Sequence, residues 1–195
     1  MVALQSLERF MRLLHDVERV KRVARRPDER EMTNTAEHTF ELALVCWYII
    51  AVNKLNLDLE KVLRYALAHD VIEAYAGDTP AYDKEMQKTK AAREHAALER
   101  IEKEFPEFQD FTSVIHEYES RATPEARFVY ATDKIVDPVN ASMEETQSIW
   151  KEFNISLETL VAHKNPKVAL SEHVVPLWDE LVRKLETKRG FFFHS

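Results

Sequence analysis

His69, Asp70 and Glu73 stand together in the stretch AHDVIEAYAGDTP, residues 68–80, among apolar Leu67, Val71, Ile72 and Ala74. On a helix, residues three and four apart share a face, so an imidazole and two carboxylates would line one groove. An ionised carboxylate is costly to bury unless it is paired or bound to a metal. The His-Asp pair offers one nitrogen and one oxygen ligand, a mixture suited to a borderline or hard divalent cation. One dipeptide cannot complete a coordination sphere. His38, one turn before Leu42 on the preceding helix, should face the interior, and Asp133 in FVYATDKIVD is flanked by Phe128, Val129, Ile135 and Val136. His38, His69, Asp70 and Asp133 would form a two-His, two-Asp site with positions open to water and substrate, which separates a catalytic metal from a structural one.

The bland reading of each residue stays open on the residues alone. A second His-Asp pair, His15-Asp16, has neither a Glu three residues on nor a following Gly-Asp, and reads as a polar helix face. Buried histidines are commonly satisfied by hydrogen bonds. His95 in AAREHAALERI and His116 in VIHEYE lie between the His-Asp pair and the last Asp, where further ligands of a two-metal site would stand, and read as surface positions.

The elements that must position these groups read as helices. The chain has two glycines, Gly77 and Gly190, so no glycine-rich phosphate loop is possible. Apolar spacing predicts a first helix through Leu4, Leu7, Phe10, Leu14 and Val17. A second opens at Asn34 with Glu37 completing a capping box, and a third opens at Asp58 and continues into the His-Asp motif. Gly77 is placed to end that helix with positive φ, and Pro80 blocks continuation. Helices are predicted over about 85–105 and 107–119, and another from Thr123-Pro124 that Pro138 should kink or break. Asn165-Pro166 should open the last helical region, divided by Pro176. With no strand alternation evident, the expectation is an all-α, single-domain chain: a metal-site core over about 20–140, with C-terminal helices at 150–190 packed on it.

Of 195 residues, 45% are hydrophobic and 31% charged, the balance of a soluble globular domain. A net charge of −7 argues against a nucleic-acid polymer as partner, yet one or two arginines suffice to hold a small phosphorylated molecule. The lone Cys46 permits no internal disulfide and reads as packing. The run LALVCWYIIAV is short for a bilayer span and no signal peptide is evident, so a cytoplasmic protein without membrane attachment is expected. FFF at 191–193 must dock on the core or on a partner subunit, and a homodimer is the expectation.

The ordered set AEHT (36–39), AHDVIEAYAGDTP (68–80) and ATDK (131–134) resembles the HD-domain metal-dependent phosphohydrolases. His-Asp-x-x-Glu followed by Gly-Asp-x-Pro resembles the branch that holds bacterial 5′-deoxynucleotidases and their eukaryotic HD-domain relatives. The resemblance implies an HD-domain helical bundle that binds one divalent metal through His38, His69, Asp70 and Asp133. The ion itself (Mn, Fe, Co, Ni or Mg) is left open. It also implies that Glu73 handles a proton in catalysis, that Asp78 lies at the substrate, and that Arg25 in VKRVARR contacts phosphate. Arg22 and Arg26 compete for the last role, since two basic residues four apart share a face, and the departures from the family pattern at Arg26 and PDEREMTNT leave the nucleotide open. The implied activity is release of phosphate from a nucleoside or deoxynucleoside 5′-monophosphate. The alternatives are a two-metal phosphodiesterase and a non-catalytic, metal-stabilised binding module.

Overall fold

In the computed structural model, which describes residues 2–145 and 148–194, helix α1 (Leu4–Arg19) comes first and sends Leu13 and Val17 into the core. An antiparallel ribbon follows, β1 (Lys21–Arg25) and β2 (Met32–Asn34), pairing Lys21 with Asn34 and Arg25 with Met32. This ribbon corrects the expectation of a chain without strands. Its strands are too short and too cationic for alternation to show, and long-range bonds hold it in place. Thr33 Oγ1 donates to the Ala24 carbonyl, and the Thr35 amide donates to the Val20 carbonyl.

The remainder is the all-α bundle expected. Helix α2 (Thr35–Asn53) starts in a reciprocal box: Asn34 Oδ1 accepts from the Glu37 amide, and the Glu37 carboxylate accepts from the Asn34 amide. Helix α3 (Leu59–Ala68) is capped by Asp58. A four-residue helix α4 (Glu73–Ala76) ends at Gly77, whose φ of 71° is the positive value its position calls for. Asp83 caps α5 (Lys84–Glu104), α6 (Gln109–Ser120) follows, and Thr123 caps α7 (Pro124–Ser142). Helix α7 is the central rod: it packs on α2, α3, α6 and β1, and on the C-terminal helices α9 (Leu157–Val168) and α10 (Val175–Thr187).

The proline expectations divide: Pro138 does not break its helix and Pro166 does not open one, while Pro176 does mark the division of the last helical region in two. Pro138 lies inside α7 without ending it; the lost backbone bond, worth about 3 kcal/mol, is outweighed by burial of the helix on several sides. Helix α9 opens at Ser156, whose hydroxyl accepts from the Thr159 amide, and Pro166 falls within it. Asn165 instead accepts the Trp178 indole proton at 2.7 Å. Pro176 sits in the first turn of α10 and so opens that helix.

Between α7 and α9 lies the short helix α8 (Ile149–Glu152), and Phe192 stacks on its Trp150 with centroids 4.4 Å apart and planes 11° apart. The aromatic triplet therefore docks on its own core. Helix α2 is long and apolar enough to cross a membrane by length and composition, with a mean hydropathy of 1.2. Here it packs on α1, α3 and α7, while Phe40 (64%), Trp47 (49%) and Tyr48 (69%) remain exposed on its outer face. Cys46 is fully buried beneath it, and burial pushes its thiol up to about 12, which makes it inert packing.

Candidate active site

The His-Asp motif is not carried on one continuous helix. Helix α3 stops at Ala68, and the chain crosses to α4 through tightened turns, with the Val71 amide bonded to Ala68 and the Glu73 amide to Asp70. Adjacent side chains that a regular helix would splay apart meet here: Asp70 Oδ2 lies 2.9 Å from His69 Nε2. From α2, His38 Nε2 lies 2.9 Å from Asp133 Oδ1 on α7. One ligand atom each from His38, His69 and Asp133, all buried, fall within 4.8 Å of one another, and Asp70 Oδ2 reaches to 4.0 Å from His38 Nε2. Two helices and the turn after α3 thus bring the four expected ligands together.

The hydrogen bonds around His69 fit a cation. Its Nδ1 lies 2.8 Å from the Ala66 carbonyl, which can only accept, so Nδ1 carries the proton. Nε2 is then left as a lone pair, buried and with no hydrogen bond among the described residues, although a carboxylate oxygen faces it. Two acceptors in contact call for a positive charge between them. Burial alone would lower the His69 pKa, but Asp70 and Asp133 raise it overall, so without a cation the place between Nε2 and Asp70 draws a proton instead. A second imidazole and two carboxylates make this a donor set for a divalent metal. His38 Nδ1 turns towards Asp137 Oδ1, at 3.7 Å, where that carboxylate can orient the ring.

The carboxylates divide by environment. Burial and the neighbouring Asp70 push Glu73 up to about 8, against the pull of Arg22, and Thr35 Oγ1 donates to Glu73 Oε2 at 2.8 Å. Burial would also raise Asp70 and Asp133, yet both are held low, Asp70 by His69 and Arg22, and Asp133 by Lys134 and His38. Asp78 follows Gly77 into the lining of the same cavity, where burial raises its pKa.

Arg22, from β1, is the arginine at this centre: its Nη1 lies 2.8 Å from Asp70 Oδ2 and 4.0 Å from Glu73 Oε2, and its Nη2 3.3 Å from Asp137 Oδ2. Arg25, the position that the resemblance implies for phosphate, is buried at the far end of the strand. There Nε donates to Glu144 at 3.0 Å and Nη1 to Glu152 at 2.8 Å. Arg26 is half-exposed near Glu37 and Glu41. His95 and His116 are 76% and 60% exposed, beside Glu99 and Glu102, so neither joins the cluster. His15 is exposed on α1 as read from sequence.

The centre opens on a polar cavity of about 230 Å³ lined by carboxylates and by cations, Lys134, Lys164 and Lys167 among them. Lys134 pairs with Asp133, while Lys164 and Lys167 on α9, pressed by burial and by Lys134, are both pulled down to about 8. His163 lies 2.5 Å from Lys167 Nζ and is driven to about 4. Sequence reasoning missed Thr35, Asp137 and the α9 lysines. Asp137 was within reach, four residues after Asp133 and so on the same helix face. Nothing local in AHKNPK points at a site over a hundred residues upstream.

A helical bundle holding a buried His-His-Asp centre at a polar cavity lined by carboxylates, lysines and arginine is built for metal-assisted chemistry. The chain belongs to the HD domain family, whose sequence model matches residues 14–174. It is 29% identical over 149 residues to human 5′-deoxynucleotidase HDDC2, covering 72% of this chain and 69% of that one. To the mouse protein of the same name it is 28% identical over 194 residues, covering 95% and 89%. To the 5′-deoxynucleotidase VP0926 of Vibrio parahaemolyticus it is 27% identical over 159 residues, covering 72% and 81%. Among solved structures, a chain from Magnetospirillum magnetotacticum described as a predicted metal-dependent phosphohydrolase superposes with a TM-score of 0.81 at 22% identity, covering both chains fully. That likeness extends the fold to the C-terminal helices.

Proposed function

We propose that this protein is a metal-dependent phosphohydrolase that releases phosphate from a nucleoside or deoxynucleoside 5′-monophosphate. The observation that carries the reading is the unpartnered, buried His69 Nε2 facing Asp70, with His38 and Asp133 around it and Arg22 and Glu73 beside it. The names of the human, mouse and Vibrio relatives support the nucleotide as substrate. His38, His69, Asp70 and Asp133 would hold one divalent ion. When bound, that ion supplies Lewis-acid polarisation and a lowered pKa for water.

The chain's own residues do the rest. A phosphate monoester dianion must be neutralised before a nucleophile can approach it. Arg22 can give charge-assisted hydrogen bonds to its non-bridging oxygens, and Lys134, Lys164 and Lys167 in the lining of the same cavity add positive field. Glu73, held near neutrality, can take a proton from the attacking water and return it to the leaving oxygen as the phosphorus–oxygen bond breaks. Thr35 fixes the carboxyl for this by its hydrogen bond to Oε2. Asp78, in the lining of the same cavity, would position the substrate.

The same reading takes the protein as cytoplasmic, with no nucleic-acid polymer or membrane as partner. A homodimer is proposed through the outer face of α2, where Phe40, Trp47 and Tyr48 leave apolar surface uncovered. Phosphate release from deoxynucleoside and ribonucleoside 5′-monophosphates by chelator-stripped protein resupplied with Mn, Co or Mg tests the activity. Light scattering of the wild type and Trp47→Glu tests the dimer: a monomeric wild type would remove it.

A further inference from the structure

Next to the polar cavity lies a second one, of about 370 Å³, within the size range of small-molecule sites. The two adjoin, sharing Val23, Pro80, Ala81, Asp137 and Lys164 in their linings. Their chemistry differs. The first is lined by carboxylates, lysines and Arg22; the second by Tyr82, Trp150, Phe153, Ile155 and Leu160.

We propose that this apolar cavity receives the nucleoside part of the substrate and that α8, its flanking residues and the start of α9 form the specificity wall. The assignment rests on the phosphohydrolase reading above, and it gives the C-terminal region a role that sequence motifs do not suggest.

Three observations converge on a flat, uncharged heterocycle. The wall is aromatic as well as aliphatic, which suits a π-face better than an alkyl chain. Trp150 is braced from behind by Phe192, so the wall is rigid before any ligand arrives. The Tyr82 hydroxyl is buried with no hydrogen-bond partner among the described residues, a donor left for a ring nitrogen, a carbonyl or a sugar oxygen. Burial raises that phenol to about 12, so it keeps its proton at neutral pH. An ester bond where the two cavities adjoin would put phosphate on the Arg22 side and the base on the Trp150 side.

The test separates leaving-group recognition from chemistry. Metal-loaded wild type, Tyr82→Phe and Phe153→Ala are assayed on deoxyadenosine 5′-monophosphate and on ethyl phosphate, whose leaving group is too small to reach the cavity. Metal-free protein carrying Trp47→Phe and Trp178→Phe, so that Trp150 is the remaining tryptophan, is titrated with deoxyadenosine and its fluorescence quenching followed. The expected result is a KM for the nucleotide raised about tenfold in Phe153→Ala, the loss of roughly one stacked base. Ethyl phosphate turnover should stay within about twofold of wild type, and quenching should weaken in both variants. Equal losses on both esters, or nucleotide KM and quenching unchanged in both variants, would overturn the assignment. Failure of the wild type on both esters would instead bring down the phosphohydrolase reading, while variant-sensitive quenching would still support the cavity as a nucleoside site.

Discussion

Asp70 and Glu73 are carboxylates three residues apart beside the same arginine, and their surroundings drive them in opposite directions. Asp70 touches His69 and Arg22 and is held ionised, as a ligand must be. Glu73 is buried with one hydroxyl partner and is pushed up to about 8, as a proton carrier must be. Asp70→Ala should therefore abolish bound metal and turnover together. Glu73→Gln should keep the metal and lower kcat by about 10²–10⁴-fold, read by metal analysis alongside phosphate release. A metal-bound Glu73→Gln with near wild-type kcat would remove Glu73 from the mechanism. Arg22 and Arg25 separate in the same manner. Arg22→Ala should raise KM and lower kcat with little change in Tm. Arg25→Ala should strand the fully buried Glu144 and cost about 3–5 kcal/mol in a denaturant titration. The cluster of His38, His69, Asp70 and Asp133 was legible from residue types together with the ordered motifs that resemble the HD-domain family, while residue types alone left bland readings open. Which arginine faces the metal was not, since strand register in the ribbon decides it and no spacing rule covers the loop over residues 26–31.

At the level of elements, local chemistry predicted what local chemistry controls. Asn34, Asp58 and Thr123 start helices where their hydroxyl or amide oxygens can accept an amide proton, and Gly77 ends one. Prolines misled wherever burial outbid the lost backbone bond, as at Pro138, or wherever a better cap stood upstream, as Ser156 does for Pro166. The ribbon escaped notice because its partners are set by contacts outside it. The C-terminal aromatic clasp belongs to this scale too. Phe192 is buried and braces Trp150, so Phe192→Ala should cost about 3–5 kcal/mol and lower Tm, followed by calorimetry. An unchanged Tm would mean the clasp does not hold the C-terminal region to the bundle.

Across the whole molecule, a net charge of −7 conceals an internal group of lysines: Lys134, Lys164 and Lys167 line the same cavity as the carboxylates. These lysines cost stability until an anion arrives. Lys164 titrates near 8 in the fold against an ordinary 10.5, so its charged form is disfavoured there. The cost is full below about pH 8 and fades as pH rises towards 10.5. Metal-free Lys164→Met should therefore melt above wild type at pH 7, with the gap closing at higher pH, while inorganic phosphate protects it less than it protects wild type. A gap that is absent or widens with pH would show that Lys164 bears no such cost.

The central claim, a catalytic metal acting on a nucleoside monophosphate, is tested most directly by phosphate release from a panel of deoxyribo- and ribonucleoside 5′-monophosphates. The protein is stripped with chelator, shown by circular dichroism to remain folded, and resupplied with Mn, Co or Mg, with Asp70→Ala as control. The account predicts release that returns only with metal and never in the control. A folded, metal-loaded wild type that releases no phosphate from any of them would contradict it.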